Sequence, residues 1–268
     1  MTAIFDDLVY RLALGLEPRD GVSGTRIARR VDIAVDGAPD FDYDVGPWPE
    51  QSPVAGLRLL RRHGSGRFVL VYDRTVRTPV TVRLVPRDRR YVPRKLKFAI
   101  KSEADVLTAE DAGNDIPTTS RAWRPVLFPG AGYDVPDTAT GVRGLVRKAG
   151  EPIRWTRVEA TIGPRVIGRA HGDDRGEFLL VLGQNTGAVG DLVSPLAVTI
   201  TVYARNPALA LDKKDALSDL PVETAAGPGV VPDDVSAGIT LPSLYVQVAQ
   251  LNPLLTLGRL TSVPIAVP

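Results

Sequence analysis

Gly176-Glu177-Phe178-Leu179-Leu180-Val181-Leu182 leaves a turn and becomes an uninterrupted apolar run, and Gly66-Arg67-Phe68-Val69-Leu70-Val71-Tyr72 does the same earlier in the chain. In both, a glycine suits the positive φ of a tight turn, a phenylalanine follows two positions later, and aliphatic residues continue as a strand. The surroundings repeat as well. The later stretch is preceded by Val142-Arg143-Gly144-Leu145-Val146, by the turn Lys148-Ala149-Gly150-Glu151-Pro152 and by residues 153–162; Leu196-Ala197-Val198-Thr199-Ile200-Thr201-Val202 follows it. The earlier stretch is preceded by Leu12-Ala13-Leu14-Gly15-Leu16, by Pro18-Arg19-Asp20-Gly21 and by residues 27–35; Pro79-Val80-Thr81-Val82-Arg83-Leu84 follows it. One pattern stated twice implies two similar β units in tandem.

The two Phe strands are apolar on both faces. Phe178, Leu180 and Leu182 point one way and Leu179 and Val181 the other; Phe68, Leu70 and Tyr72 oppose Val69 and Val71. A strand with one wet face would carry polar residues at the alternate positions. The second faces therefore need a cover: local loops, the segment between the units, the C-terminal segment or another subunit. Leu179, Val181, Val69 and Val71 become interface candidates on this ground.

Elsewhere the period of two continues. Residues 8–16 alternate as a strand, with a helix over 4–14 as the competing assignment, and residues 31–35 form a strand that stops at Asp36-Gly37. Residues 39–53 are rich in Pro, Gly and Asp and are expected to be a loop. Strands are also expected at 68–72 and 80–85, the latter bounded by Pro79 and Pro86. Residues 101–137 change character: a short helix over 103–112, then a proline-rich passage anchored by Trp123, Phe128 and Tyr133, read as a docked surface linker. Residues 206–268 combine frequent prolines with apolar runs at 241–248 and 254–260. The prolines oppose long helices and confine strands to edges, while the apolar content is too high for a free tail. An extended arm packed on its own domains or on a neighbouring subunit satisfies both, which adds Leu244, Tyr245, Leu254 and Leu255 to the candidates.

With 268 residues, 44% hydrophobic and 24% charged, the composition is that of a globular protein large enough for two domains. The absence of cysteine excludes disulfides, thiolate metal sites and thiol nucleophiles. Residues 1–7 show no basic leader or cleavable apolar stretch, and no window approaches the ~20 apolar residues of a membrane span. Synthesis in the cytosol is expected, with later release as part of an assembled particle still open.

The net charge of +2 is unevenly placed. Fourteen Lys or Arg lie between Arg58 and Lys101 against Asp73 and Asp88, whereas residues 1–50 carry ten acidic and five basic side chains. Arginine dominates, with 27 against six lysines, either through genomic base composition or because its planar fork suits carboxylates at interfaces. Arg61, Arg62, Arg87, Arg89, Arg90, Arg94 and Lys95, with Tyr91 as a stacking ring, could meet phosphates. No nucleic-acid-binding module accompanies them, so a charge-complementary protein surface is the stronger expectation, and Arg89, Arg90 and Arg94 join the interface candidates.

Candidates for chemistry are few. His171-Gly172-Asp173-Asp174 puts an imidazole beside two carboxylates, but a turn with no second histidine is better explained by Asp side chains bonding the backbone. His63-Gly64-Ser65-Gly66 lacks the lysine and helix of a phosphate loop and the flanks of a hydrolase elbow. No carboxylate pair is singled out by spacing. No catalytic residue, metal or cofactor is expected.

Gly144-Leu145-Val146, Gly150-Glu151-Pro152, Thr156-Arg157-Val158-Glu159-Ala160 and Asp173-Asp174-Arg175-Gly176-Glu177-Phe178 together resemble the carboxypeptidase regulatory-like domain, a transthyretin-like β-sandwich, over residues 140–204. The resemblance implies that Phe178 fills a sandwich core and that the module is noncatalytic, since the sandwich is the accessory part of the peptidases that give it its name. Trp155 departs from the pattern, which has a small residue after the turn; an indole there must be displayed outward or covered by another segment, and it too is an interface candidate. Tandem sandwiches, arginine-rich strands and an apolar arm are also similar in style to structural proteins of phage-tail-like contractile injection systems.

The expectation is an all-β chain of two tandem transthyretin- or immunoglobulin-like sandwiches: residues 1–100, a docked linker 101–137, a carboxypeptidase regulatory-like sandwich 138–205 and an extended arm 206–268. The function expected is a non-enzymatic cap or baseplate component of a contractile phage-tail-like particle, a homo-oligomer contacting tube, sheath or baseplate proteins. Deleting 206–268 should then leave soluble domains that no longer assemble. The alternative is a carbohydrate- or protein-binding accessory module with Trp155, Trp123 and Tyr133 as stacking platforms.

Overall fold

The computed structural model describes residues 11–27, 31–36, 57–74, 76–114, 116–182, 194–212, 214–225 and 233–268. The expectations for residues 1–10 and 39–53 lie outside them. The chain is mainly β, in several sheets, with one α-helix among the described residues.

The first strands are β1 (Leu12–Leu16), β2 (Arg19–Asp20), β3 (Val31–Asp36), β4 (Leu57–Leu59), β5 (Arg61–Arg62), β6 (Phe68–Val71), β7 (Val80–Pro86) and β8 (Arg94–Phe98). Helix α1 (Glu103–Asp111) follows, started by a capping box between Ser102 and Asp105. Then come β9 (Ala122–Trp123), β10 (Val126–Leu127), β11 (Gly141–Lys148), β12 (Glu151–Pro152), β13 (Arg157–Ile162), β14 (Arg165–His171) and β15 (Glu177–Val181). The chain closes with β16 (Leu196–Ala197), β17 (Thr199–Arg205), β18 (Val222–Thr224), β19 (Tyr245–Leu251), β20 (Leu254–Leu255) and β21 (Leu260–Val267).

The sequence repeat reappears in the pairing. β1 runs antiparallel to the first Phe strand, β6, with Leu16 opposite Phe68. β11 does the same with the second, β15, with Gly144 opposite Phe178. On its other edge each of these first strands takes a parallel neighbour, β9 beside β1 and β21 beside β11. In the companion sheets β3 is antiparallel to β4 and β7, and β13 to β14 and β17. β8 then flanks β7 and β19 flanks β17, both antiparallel. Gly66 (φ 77°) and Gly176 (φ 76°) hold the left-handed turn before each Phe strand, the conformation that makes glycine the residue of choice there.

Each pair of sheets shares a core. The first gathers Leu14, Leu16, Phe68, Leu70 and Trp123 from one sheet with Ile33, Val82, Leu84, Leu96 and Phe98 from the other. The second gathers Val142, Val146, Phe178 and Leu180 with Val158, Ala160, Ile200 and Val202, and closes over Leu255, Ile265 and Val267. Burying side chains of this size contributes roughly 1.5–3 kcal/mol each, so the cores dominate the favourable side of folding.

The linker and arm segments are paired into the sheets as strands. Residues 101–137 place Trp123 in β9 beside β1, packed on Phe98 at 5.0 Å between ring centroids. The described residues of 206–268 pack on the chain's own domains, as the first of the two alternatives for the arm had it. They supply β18 to the five-stranded sheet β18-β8-β7-β3-β4, and β19 and β21 to the two sheets of the second core. Backbone hydrogen bonding satisfies an apolar segment more completely than side-chain docking alone, because each buried N–H and C=O needs a partner. Pro242 and Pro253 precede strands, and Pro264 sits on the edge strand β21, where a missing N–H is tolerated.

Candidate functional site

A buried polar cluster formed by side chains from both core regions surrounds Glu223 on β18. This short strand runs parallel to β8, which sets Glu223 opposite Leu96, close to Arg94. Arg94 donates from Nε and Nη2 to the two carboxylate oxygens of Glu223 at 3.0 and 2.8 Å. Arg157, at the start of β13, donates from Nη2 to Glu223 Oε1 at 3.1 Å. All three side chains are buried. The remaining Arg94 donors reach the carbonyls of Val126, Val235 and Ser236, and Arg157 Nη1 reaches those of Trp155 and Thr156. Burial alone would raise the pKa of Glu223, but the guanidiniums of Arg94 and Arg157 outweigh it and hold the carboxyl below its ordinary value.

The segment leading to β18 repeats the device. Asp215 accepts from Arg83 of β7 at 2.5 Å, and Asp219 takes a two-pronged contact from Arg154 at 2.6 and 2.9 Å. Leu217 and Leu220 pack on Val92 and Trp155. Residues 214–225 are thus an acidic strap whose carboxylates engage arginines of both core regions, and whose leucines cover the seam.

His171, the last residue of β14, is fully buried beside this cluster and stacks on Phe128 at 3.9 Å between ring centroids. Burial, and then the charges of Arg157 and Arg94, push its pKa well below the usual histidine value, so it is neutral. Asp173 Oδ1 accepts from the backbone N–H groups of Arg175 and Glu177 at 2.8 and 3.0 Å, the Asp-stabilised turn that shapes the hairpin into β15. Among the described residues no group of three or more His, Cys, Asp or Glu side chains is placed to hold a metal. His63 and Ser65 bond one another at 2.9 Å in an exposed turn.

A cavity of about 250 Å³ opens between the turn after β2 and strand β14, lined by Asp20, Val22, Phe128, Ile167, Arg169 and Val181 among others. Its charged groups are engaged: Asp20 accepts from Tyr91 and Tyr133 hydroxyls at 2.8 and 2.9 Å, and Arg169 donates to Glu159 at 2.9 Å.

The interface candidates separate into three groups. Trp155, Leu179, Val181, Arg94 and Leu255 are buried, so of the covers open to them it is the chain itself that supplies one, and they present no face to a second subunit. Trp155 (φ 58°) turns under the strap, with Arg154 5.1 Å above its ring. Arg94 looked like a surface charge because its counter-charge, Glu223, lies 129 residues away. Val69, Val71, Arg90 and Tyr245 are half-buried; Arg90 pairs with Asp134, and the Tyr245 hydroxyl donates to the Trp155 carbonyl at 2.7 Å. Arg89, Leu244 and Leu254 are exposed, Arg89 lying 3.8 Å from Asp174. Much of the basic stretch is neutralised within the chain: Arg87 pairs with Asp32, Lys95 with Asp36, and Arg83 with both Asp36 and Asp215. The Tyr91 ring is buried, so it offers no face to a nucleobase.

No protein-family model matches this chain, and no curated protein matches it. Among solved structures, a 9R-lipoxygenase from Cyanothece PCC8801 is similar over 50% of this chain and 17% of that one, at 12% identity and a TM-score of 0.29. A likeness at that level carries no argument about fold or activity.

Proposed function

We propose that the chain is a non-enzymatic structural protein, two tandem transthyretin-like β-sandwiches locked together by the acidic strap, that serves as a cap or baseplate component of a contractile phage-tail-like particle. In this reading the second sandwich runs on through β21, and residues 206–268 supply its closing strands as well as the strap. What supports the reading is the distribution of exposed apolar surface. Leu209, Leu211, Val222, Ile239, Leu244, Val246, Leu254 and Leu260 are the large hydrophobic side chains exposed among the described residues, and every one belongs to the last part of the chain. Apolar exposure drawn from one stretch of the sequence is material from which an assembly surface is built.

The glycan-binding alternative loses its platforms: Trp155 and Trp123 are buried, and the Tyr133 hydroxyl is bound to Asp20. Sedimentation of lysates from the native cells, followed by labelled electron microscopy, tests the proposal. The chain should co-sediment with tube-bearing particles and label one end of them; its confinement to the low-mass fraction would overturn it.

A further inference from the structure

We infer that β19 is the interface through which two copies of this chain pair, edge to edge and antiparallel, joining their β14-β13-β17-β19 sheets into one. The inference rests on the reading of the chain as an assembly protein and gives it a specific contact.

The first ground is an open edge that carries no charge. β19 pairs with β17 along one side, and on the other it has no strand partner among the described residues. Open edges in soluble proteins are normally protected by lysine, by proline or by an inward charge. Tyr245–Leu251 contains none of these, its one irregularity being a bulge at Val248 where the register with β17 shifts. The edge strand of the facing sheet, β21, does carry such a guard in Pro264, so the two open edges are not equivalent.

The second ground is neutrality. Residues 235–258 hold no Asp, Glu, Lys or Arg, in a chain that is 24% charged. Around β19 the exposed side chains include Leu244 (55%), Val246 (45%) and Leu254 (65%). A charged partner would lose hydration here without a counter-charge, whereas a second copy presents the same neutral, apolar strand.

The third ground is symmetry. Two copies related by a twofold axis meet through identical residues, and a strand paired with its own twofold image is necessarily antiparallel. β19 already accepts an antiparallel neighbour in β17, so its twist suits a second one.

Light scattering on the purified full chain, from about 1 to 100 µM, should give the mass of a dimer at the upper end. Val246→Lys with Gln250→Lys brings four lysines together at the pairing line and should weaken the dimer at least ~100-fold, because like charges across an interface are strongly unfavourable. Both positions are exposed, so the circular dichroism of the folded chain should be unchanged. Leu209→Lys with Leu211→Lys, exposed but off the strand, should leave the dimer intact. Since the chain has no cysteine, single substitutions Val246→Cys, Gln247→Cys, Val248→Cys and Gln250→Cys should cross-link copies with a maximum at one position and a fall to either side. A chain that stays monomeric throughout, or a dimer indifferent to the β19 lysines, overturns the inference. Either result leaves the sedimentation test of the particle reading to be decided separately.

Discussion

Arg157 and Glu223, 66 residues apart in sequence, meet at 3.1 Å in a buried position where Arg94 holds the same carboxylate by both oxygens. One negative charge therefore lies between two guanidiniums carried by different sheets. Removing it leaves two buried cations without a counter-charge. Glu223→Gln keeps the shape and should cost about 3–5 kcal/mol, the range for breaking a buried ion pair from one side. For a chain of this size that is a fall in Tm of roughly 6–20 °C by calorimetry. Arg87→Ala, which removes an exposed pair with Asp32, should cost about 1 kcal/mol or less. A Glu223→Gln protein melting within about 2 °C of wild type would show that the cluster is not what couples the sheets.

His171 predicts a separate dependence on pH. Its folded pKa is depressed, so below the ordinary histidine value the unfolded chain binds a proton that the folded chain excludes. Stability should accordingly fall as pH drops through about 6.5, with a slope approaching 1.4 kcal/mol per pH unit from this one group. Glu223, also depressed, keeps its contribution above its unfolded value of 4.5 and loses it only as pH falls further, through its folded pKa. The two windows are distinct. Denaturant titrations between about pH 7 and 5.5 should show the slope in wild type and a flat profile in His171→Gln; a slope that survives the substitution belongs to another group.

What could be read from the sequence was what is local. Alternation and the turn glycines Gly66 and Gly176 reveal the Phe strands, because strand period and positive φ are properties of a few consecutive residues. β8 is not legible in the sequence because Arg94-Lys95-Leu96-Lys97-Phe98 is charged at three of its five positions and looks solvated when Arg94 is counted outward; Arg94 in fact points inward with Leu96 and Phe98. Nothing near residue 94 announces the partner that permits this. The same non-locality hid the strap: Val222-Glu223-Thr224 is a strand because β8 lies beside it, not through propensity. In the C-terminal segment the proline rule pointed to edges, and β18, β19 and β21 are edge strands. Which sheets they complete depends on contacts far along the chain.

Gly144 shows why the second unit needs a glycine at a point where the first has Leu16 opposite Phe68. It stands opposite Phe178, and a Cβ at this position would overlap the phenylalanine ring while also approaching the Val263 carbonyl at 3.1 Å on the other flank. Neither side has room to yield, since β15 and β21 are both hydrogen-bonded to β11. Gly144→Ala should destabilise by about 1–3 kcal/mol or more through overpacking. Phe178→Leu in the same chain should recover part of the loss, a non-additivity measurable in a double-mutant cycle by urea denaturation. Strict additivity of the two substitutions would place the strain elsewhere.

Removal of residues 206–268 gives the sharpest contrast between an arm and an integral part of the fold. The truncation strips β19 from β17 and β21 from β11, and takes Leu255, Ile265 and Val267 out of the second core. It also deletes Glu223, Asp215 and Asp219, which leaves Arg94 and Arg157 buried without a counter-ion and frees Arg154. Three losses of this kind act in the same direction, and together they exceed the ~5–15 kcal/mol that holds a domain folded. The truncated chain should therefore be insoluble, or lack a cooperative melting transition and the near-ultraviolet circular dichroism of packed aromatics, in place of the soluble, non-assembling domains that an arm would leave behind. Supplying residues 206–268 as a separate polypeptide during refolding should restore the transition, because the strands and the carboxylates would return to open edges and unpaired guanidiniums. A truncated protein that is soluble and melts as sharply as the full chain would mean that these strands decorate the fold without completing it.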